Sequence, residues 1–212
     1  MLAGLRKQVL DVSMELRRMQ MARGTSGNVS ARDPESGLIA ITPSAIPYEV
    51  LRVTDIAIIT PAGEIIHGNH RPSSETPMHT AVYRLRPDVN GIVHTHSLYA
   101  TVFSVLNKEL PVVTVPLATF GPVPIAPFRL PGSQALADEV ARCLGVAGKS
   151  VLLQNHGALC AGSTVGKALE CAAYTEEGAQ VAYLAHLAGG LNPIPDEYIA
   201  VMRDISGTEK AL

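Results

Sequence analysis

Helical and extended hydrophobic periods alternate along this chain, and that alternation predicts a layered α/β domain. Leu5, Val9, Val12, Leu16 and Met19 recur at spacings of three and four, the stripe of one buried helix face, and this helix should stop near Gly24. Residues 28–42 predict two strands joined by a turn at 33–37, and a further strand covers Asp55 to Thr60 before a turn at 61–63. Residues 73–87 fit a helix begun by a serine cap with proline in its first turn. Residues 91–97 then form a short apolar strand ending in polar residues, followed by a helix over 98–107. The proline-rich region from Pro111 to Pro131 reads as extended or looped. Ser133 can cap a helix over 134–145, residues 150–160 read as one buried strand, and an Ala-rich helix runs from about Thr164 to Leu187. No repeat, low-complexity tract or linker interrupts this order, so residues 1–212 read as a single domain.

Composition narrows the function classes. A chain of 212 residues can build a core without disulfides or structural metals. Hydrophobic residues reach 47% against 17% charged, which hints at surface buried in an oligomer. The formal net charge of -2, without a basic run, gives no footprint for nucleic acid or an anionic membrane. Polar residues or proline break the apolar stretches before membrane-spanning length. Asp11 and Glu15 mark the N-terminus as an amphipathic helix and not a signal peptide. Cys143, Cys160 and Cys171 are odd in number and form no CxxC pair, which predicts a reduced, cytoplasmic chain.

The chemistry-bearing residues cluster at element ends. His94 and His96 lie two apart at the end of a strand, so both rings can share a face and reach one ion. The same pair could equally be one buried, hydrogen-bonded histidine and one exposed one. His156, flanked by Asn155 and Gly157 in a tight turn at another strand end, is the natural third ligand. His67, His70, His79 and His186 read as surface or helix-face histidines, although His79 follows Glu75 by one turn and could support it. Glu75, after Ser73 and Ser74, fits a first-turn glutamate favoured by the helix dipole, or an acid–base group beside an anion-binding helix start. The segments Gly24-Thr25-Ser26-Gly27-Asn28-Val29-Ser30 and Thr42-Pro43-Ser44-Ala45 read individually as turns.

Taken together, GTSGNVS at 24–30, TPSAIPYE at 42–49, SSE at 73–75, HTH at 94–96 and NHGAL at 155–159 resemble the class II aldolase/adducin family, closest to its L-fuculose-1-phosphate aldolases. The resemblance covers nearly the whole chain, with the motifs in family order and spacing. It implies a three-layer α/β/α domain around a largely antiparallel, mixed sheet. It implies Zn²⁺, one per chain, on His94, His96 and His156, with Glu75 on the metal in the empty enzyme and acting as acid–base when substrate arrives. Asn28, Ser44, Ser73, Ser74 and the Gly27 backbone would hold a substrate phosphate, with Thr25 and the backbone N–H of Ala45 as further candidates. Homotetramers with active sites at subunit interfaces are implied as well.

These implications agree with elementary chemistry. Breaking the C3–C4 bond of a ketose 1-phosphate leaves an enediolate whose charge a cation stabilises as a Lewis acid. Glu75 would protonate it in cleavage and remove the same proton in condensation. The competing lysine Schiff base has no candidate, because none of the five lysines sits near these motifs. Three departures stand out. Val115 occupies the position of the family tyrosine that serves the aldehyde oxygen, the tail from Arg203 to Leu212 lacks the site-closing aromatics, and Ala45 replaces a common glycine. The expected reaction is cleavage of a short ketose 1-phosphate to dihydroxyacetone phosphate and a small aldehyde. A decarboxylase, dehydratase or pentulose-phosphate epimerase on the same scaffold is the alternative. A non-catalytic adducin-like scaffold would be expected to lose metal ligands, and this chain keeps them all.

Overall fold

A computed structural model of the protein describes residues 1–208, with side chains through Asp204. The strands are β1 (Asn28–Arg32), β2 (Ile39–Ile41), β3 (Ala57–Ile59), β4 (Ile65–His67), β5 (Gly91–Thr95), β6 (Ile125–Ala126), β7 (Ser150–Leu153) and β8 (Gly157–Gly162). The helices are α1 (Ala3–Arg18), α2 (Thr76–Leu85), α3 (Leu98–Leu106), α4 (Val115–Ala118), α5 (Gln134–Leu144), α6 (Val165–Leu187) and α7 (Asp196–Thr208). All eight strands join one sheet in the order β4-β3-β2-β1-β5-β8-β7-β6. Every pairing is antiparallel except β6 with β7, which makes the sheet mixed.

Period-two alternation sorts side chains to the two faces of that sheet. Ile39, Ile41, Ile59, Ile92, Val151, Leu153 and Leu159 pack with Met78 and Val82 of α2 and Leu136 and Val140 of α5. Ala40, Ile58, Val93 and Cys160 turn the other way, onto Val9 and Leu16 of α1 and Ala168 and Cys171 of α6. Leu152 and Ala158 meet α3, α4 and α7 through Phe103, Leu117 and Ile199. The result is the expected three-layer α/β/α arrangement.

Several local expectations need correction. Residues 150–160 are not one strand but a β7–β8 hairpin, in which Asn155 takes a left-handed φ of 56° that asparagine tolerates. The stretch from Pro111 to Pro131 carries α4 and β6, whose few residues are too short for a periodic signal. The first helical residue after Ser73-Ser74 is Thr76, and Glu75, not a serine, sits at the N-cap. The β4 edge strand escapes sequence reading because all three of its residues are exposed and show no alternation. Arg6 and Ser13 share the buried face of α1 with Val9 and Leu16, while Met19 is exposed. Helix α7 was likewise unforeseen, and of the tail beginning at Arg203, residues 209–212 and the side chains from 205 onward lie outside the described residues. No helix among the described residues is long and apolar enough to cross a membrane.

Candidate metal centre and anion cleft

Sheet register brings the histidines together. β5 pairs with β8, placing Thr95 opposite Ala158 and carrying the end of β5 to the hairpin turn that holds His156. A Cβ on Gly157 would lie 2.1 Å from the Thr95 carbonyl oxygen, so only glycine lets these chains approach this closely. The three imidazoles consequently meet edge to face, with ring centroids 4.8, 4.8 and 4.9 Å apart. Glu75 enters from the start of α2, and its ligand atom and those of His94, His96 and His156 all lie within 4.8 Å of one another.

The protons reveal what this cluster suits. The Nδ1 of His94 stands 2.9 Å from the Ala158 carbonyl, which can only accept, so Nδ1 carries the hydrogen. In the neutral ring Nε2 then presents a lone pair, 3.0 Å from His96 Nε2 and 2.9 Å from Glu75 Oε2. Glu75 Oε1 and His156 Nδ1 are buried without a hydrogen-bond partner, and His156 Nε2 faces that Oε1 at 3.3 Å. Electron-rich atoms crowded this way are stable only with positive charge among them. Three imidazole nitrogens with one carboxylate are a donor set that fits a divalent cation such as Zn²⁺. A carbonyl fixing the outer nitrogen of a ligand histidine is a common support of such sites.

Burial pushes His96 down to about 4, with the neighbouring His94 and His156 adding to the shift. His156 falls to about 4 for the same reasons, burial first and His94 second. Both rings are therefore neutral, ligand-ready imidazoles at neutral pH. Burial raises the Glu75 carboxyl, but His94, His156 and the Asn28 amide together outweigh it and hold the group well below the usual carboxylate range.

A cleft of ≈ 300 Å³ opens directly onto this cluster. Its walls include Thr25, Gly27, Asn28, Ser44, Ala45, Ser73 and Ser74, every residue expected at a phosphate, alongside Glu75, His96 and His156. Two backbone bonds knit the turns together, Ser44 N–H to the Arg71 carbonyl and Ser73 N–H to the Thr42 carbonyl. Gly27 (φ 75°) and Ala45 (φ 60°), both in the cleft lining, adopt left-handed backbone conformations, a feature of turns that can bind anions through backbone N–H groups. A Cβ on Gly27 would stand 2.8 Å from the His94 carbonyl, so this turn presses against the metal-side strand. Ser73 Oγ accepts the Glu75 N–H at 3.2 Å, which leaves its own O–H available.

The remaining expectations sort cleanly. His67, His70 and His186 are exposed and take no part in the cluster, whereas His79 is fully buried and bonded to Asn28. Val115, the position where the resemblance leads us to expect a tyrosine, is 60% exposed at the start of α4. Sequence reading missed Glu176. Its carboxylate on α6 accepts the N–H groups of Tyr99 and Ala100, both at 2.8 Å, and so fixes the start of α3 just after His96. A glutamate amid an Ala-rich helix carries no signal of that task, because its partner lies 76 residues away.

Comparison with known proteins agrees with this geometry. The model of the Class II Aldolase and Adducin N-terminal domain matches residues 7–183. A 5-deoxy-D-ribulose 1-phosphate aldolase of Bacillus thuringiensis serovar kurstaki is 35% identical over 193 residues, spanning 91% of this chain and 90% of the relative. The L-fuculose phosphate aldolase of Escherichia coli strain K12 is 38% identical over 203 residues, spanning 93% and 92%. A solved L-fuculose 1-phosphate aldolase superposes with a TM-score of 0.91 at 30% identity over 95% of each chain. With five motifs, one sheet topology and near full-length similarity in agreement, this chain belongs to the class II aldolase and adducin family and is an enzyme of the lyase type.

Proposed function

We propose that this chain is a zinc-dependent aldolase that cleaves a short ketose 1-phosphate, of the L-fuculose 1-phosphate kind, to dihydroxyacetone phosphate and a small aldehyde. The observation that carries this reading is contiguity. One cleft is lined by Glu75, His96 and His156 of the four-residue cluster, with His94 buried behind them, and by the hydroxyl residues Thr25, Ser44, Ser73 and Ser74, the Asn28 amide and the turn residues Gly27 and Ala45. A ketose 1-phosphate needs both ends at once. The two aldolase relatives, named for 1-phosphate and phosphate sugars, favour the same substrate class.

In this reading Zn²⁺, one per chain, is held by His94, His96 and His156, with Glu75 as a resting ligand, and supplies Lewis-acid stabilisation of charge developing on substrate oxygens. Thr25, Asn28, Ser44, Ser73 and Ser74 hold the phosphate, with the backbone N–H groups of Gly27 and Ala45. Glu75 delivers a proton to substrate C3 in cleavage and removes it in condensation. Held below the usual carboxylate range, it is ionised at neutral pH in the empty cluster.

The whole of residues 1–212 then acts as one cytoplasmic domain in a homotetramer with sites at subunit interfaces. Exposed Leu98, Val115, Phe128 and Leu130 support the assembly, and three unpaired cysteines suit a reducing compartment. A fully active monomer in light scattering at assay concentration would overturn the tetramer. The decisive experiment is a screen of the zinc-loaded protein against short ketose phosphates, reading dihydroxyacetone phosphate, CO₂ and ketose epimers separately. Dihydroxyacetone phosphate is the expected product. Epimers or CO₂ without it would replace this reading by an epimerase or a decarboxylase on the same scaffold.

A further inference from the structure

A polar seam runs from the cleft into the interior, where helix α2 lies across strand β1. Glu75, His79 and Tyr83 recur every fourth residue along α2, and Asn28, Ser30 and Arg32 recur every second residue along β1. Four helical residues advance about 6 Å and two strand residues advance about 6.6 Å, so the two rows stay in step. They meet rung by rung. Asn28 Nδ2 donates to Glu75 Oε2 at 3.1 Å, and Asn28 Oδ1 faces His79 Nε2 at 2.5 Å. Ser30 Oγ lies 2.6 Å from His79 Nδ1 and 2.9 Å from the Tyr83 hydroxyl. The Arg32 guanidinium stacks 5.1 Å from the Tyr83 ring centre and donates to the Tyr83 carbonyl.

The Glu75 carboxylate fixes every proton in this seam. An ionised carboxylate can only accept, so Asn28 must turn its NH₂ toward Glu75 and its carbonyl toward His79. His79 must then carry its hydrogen on Nε2, leaving Nδ1 to accept from Ser30, and Ser30 in turn accepts from Tyr83. Burial supports a single neutral proton on this ring, since it depresses His79 to about 3. The seam is no proton path between Glu75 and Tyr83, because an amide interposed between carboxylate and imidazole does not pass protons on. Its effect is orientation. The Asn28 NH₂ has two hydrogens, and with one on Glu75 the second is free for the cleft that Asn28 lines.

We propose that His79 is a positioning residue, whose Nε2–H locks the Asn28 amide so that its NH₂ serves Glu75 and an anionic oxygen in the cleft at the same time. Without that donor the amide can turn over, setting its carbonyl against both the carboxylate and the bound anion. The anion half of this inference rests on the proposed function. The orientation half rests only on the hydrogen bonds.

The test therefore has two arms. In the first, ¹⁵N NMR of the metal-free wild type reads the His79 tautomer directly and needs neither substrate nor variant. The expected form is Nε2–H, and an Nδ1–H ring overturns the proposal, because it would demand the opposite Asn28 orientation. In the second arm, binding of inorganic phosphate to the zinc-loaded protein is compared in wild type, His79→Leu and His79→Gln. Losing one hydrogen bond should weaken phosphate binding about tenfold in His79→Leu. His79→Gln, whose amide can still donate to Asn28, should recover most of that loss, with zinc content unchanged in both. Equal losses in the Leu and Gln variants would reduce His79 to packing and overturn the proposal. If His79→Leu does not fold, His79→Met, which also lacks the donor to Asn28, takes its place, and equal losses in the Met and Gln variants would likewise overturn the proposal. Wild type that binds no phosphate would sink the phosphate reading of the cleft, while the tautomer arm would still decide for or against His79.

Discussion

The two ends of the cleft are made from different materials. At the metal end everything depends on side chains: His94 is buried on β5, His96 follows that strand, His156 tops a hairpin, and Glu75 starts a helix. At the anion end the lining combines short polar residues, Thr25, Asn28, Ser44, Ser73 and Ser74, with two turn residues in left-handed conformations, Gly27 and Ala45. Among the residues lining this cleft none is lysine or arginine, so an anion there would be held by neutral donors. The difference teaches where each end is vulnerable. Changes of side-chain chemistry should break the metal end, and changes of backbone freedom should break the anion end.

The largest effect should come from His96→Ala, which removes one of three converging nitrogens. Metal analysis should find zinc falling from one per chain to a trace, with turnover lost. A stoichiometric ion with intact turnover would mean that the cluster is not the site. Next, Glu75→Gln should keep zinc but lower proton transfer by about 10²–10⁴. Exchange of the C3 proton of dihydroxyacetone phosphate with solvent deuterium isolates that step, because it needs no aldehyde. Unchanged exchange would take Glu75 out of its role.

Gly27→Ala tests the other end. A left-handed alanine pressed on the His94 carbonyl should cost about 2–3 kcal/mol of stability and weaken phosphate binding, with zinc content retained. Loss of zinc as well would show the contrast between the ends to be false, the strain passing through the β1–β5 pair that sets Asn28 beside His94.

Acid stability probes His79, which stands behind both ends. Its folded pKa is depressed by burial to about 3, against 6.5 for the ordinary ring. Below 6.5 the unfolded chain takes up a proton that the folded chain refuses, so this contribution is intact above 6.5 and is lost as pH falls toward 3. Between pH 7 and pH 5 the loss should be about 2 kcal/mol, and denaturant titrations of His79→Gln should show a drop smaller by that amount. An identical pH dependence in the variant would show that the ring is charged or exposed. The smallest effect should be a gain. Ala45→Gly relieves a left-handed alanine and should stabilise by about 1 kcal/mol, measured as a shift in denaturant midpoint. A loss instead would mean that this turn is held by more than its backbone.

The metal end was legible in the sequence because its signals are local. His94 and His96 announce themselves by their two-residue spacing at the end of a strand, and His156 by the Asn–His–Gly turn around it. The anion end was legible only through resemblance, since GTSGNVS and TPSA read individually as ordinary turns. Sequence alternation placed β1, β2, β3 and β5 but merged β7 and β8, although the polar Gln154-Asn155-His156-Gly157 turn separates their two apolar runs. It also passed over α4 and β6, which are too short to show a period.

By itself, then, the sequence determined the layered α/β class and, from spacing and turn signals, pointed to His94, His96 and His156, whereas Glu75 and the anion turns took their roles only through the family resemblance. Tertiary structure alone decided that Glu176 caps α3 from α6, that Gly157 admits the Thr95 carbonyl, and that His79 faces Asn28 rather than solvent. Each of these is a contact between segments far apart in the chain. Their geometry is fixed by sheet register and helix packing, which no local pattern of residues encodes.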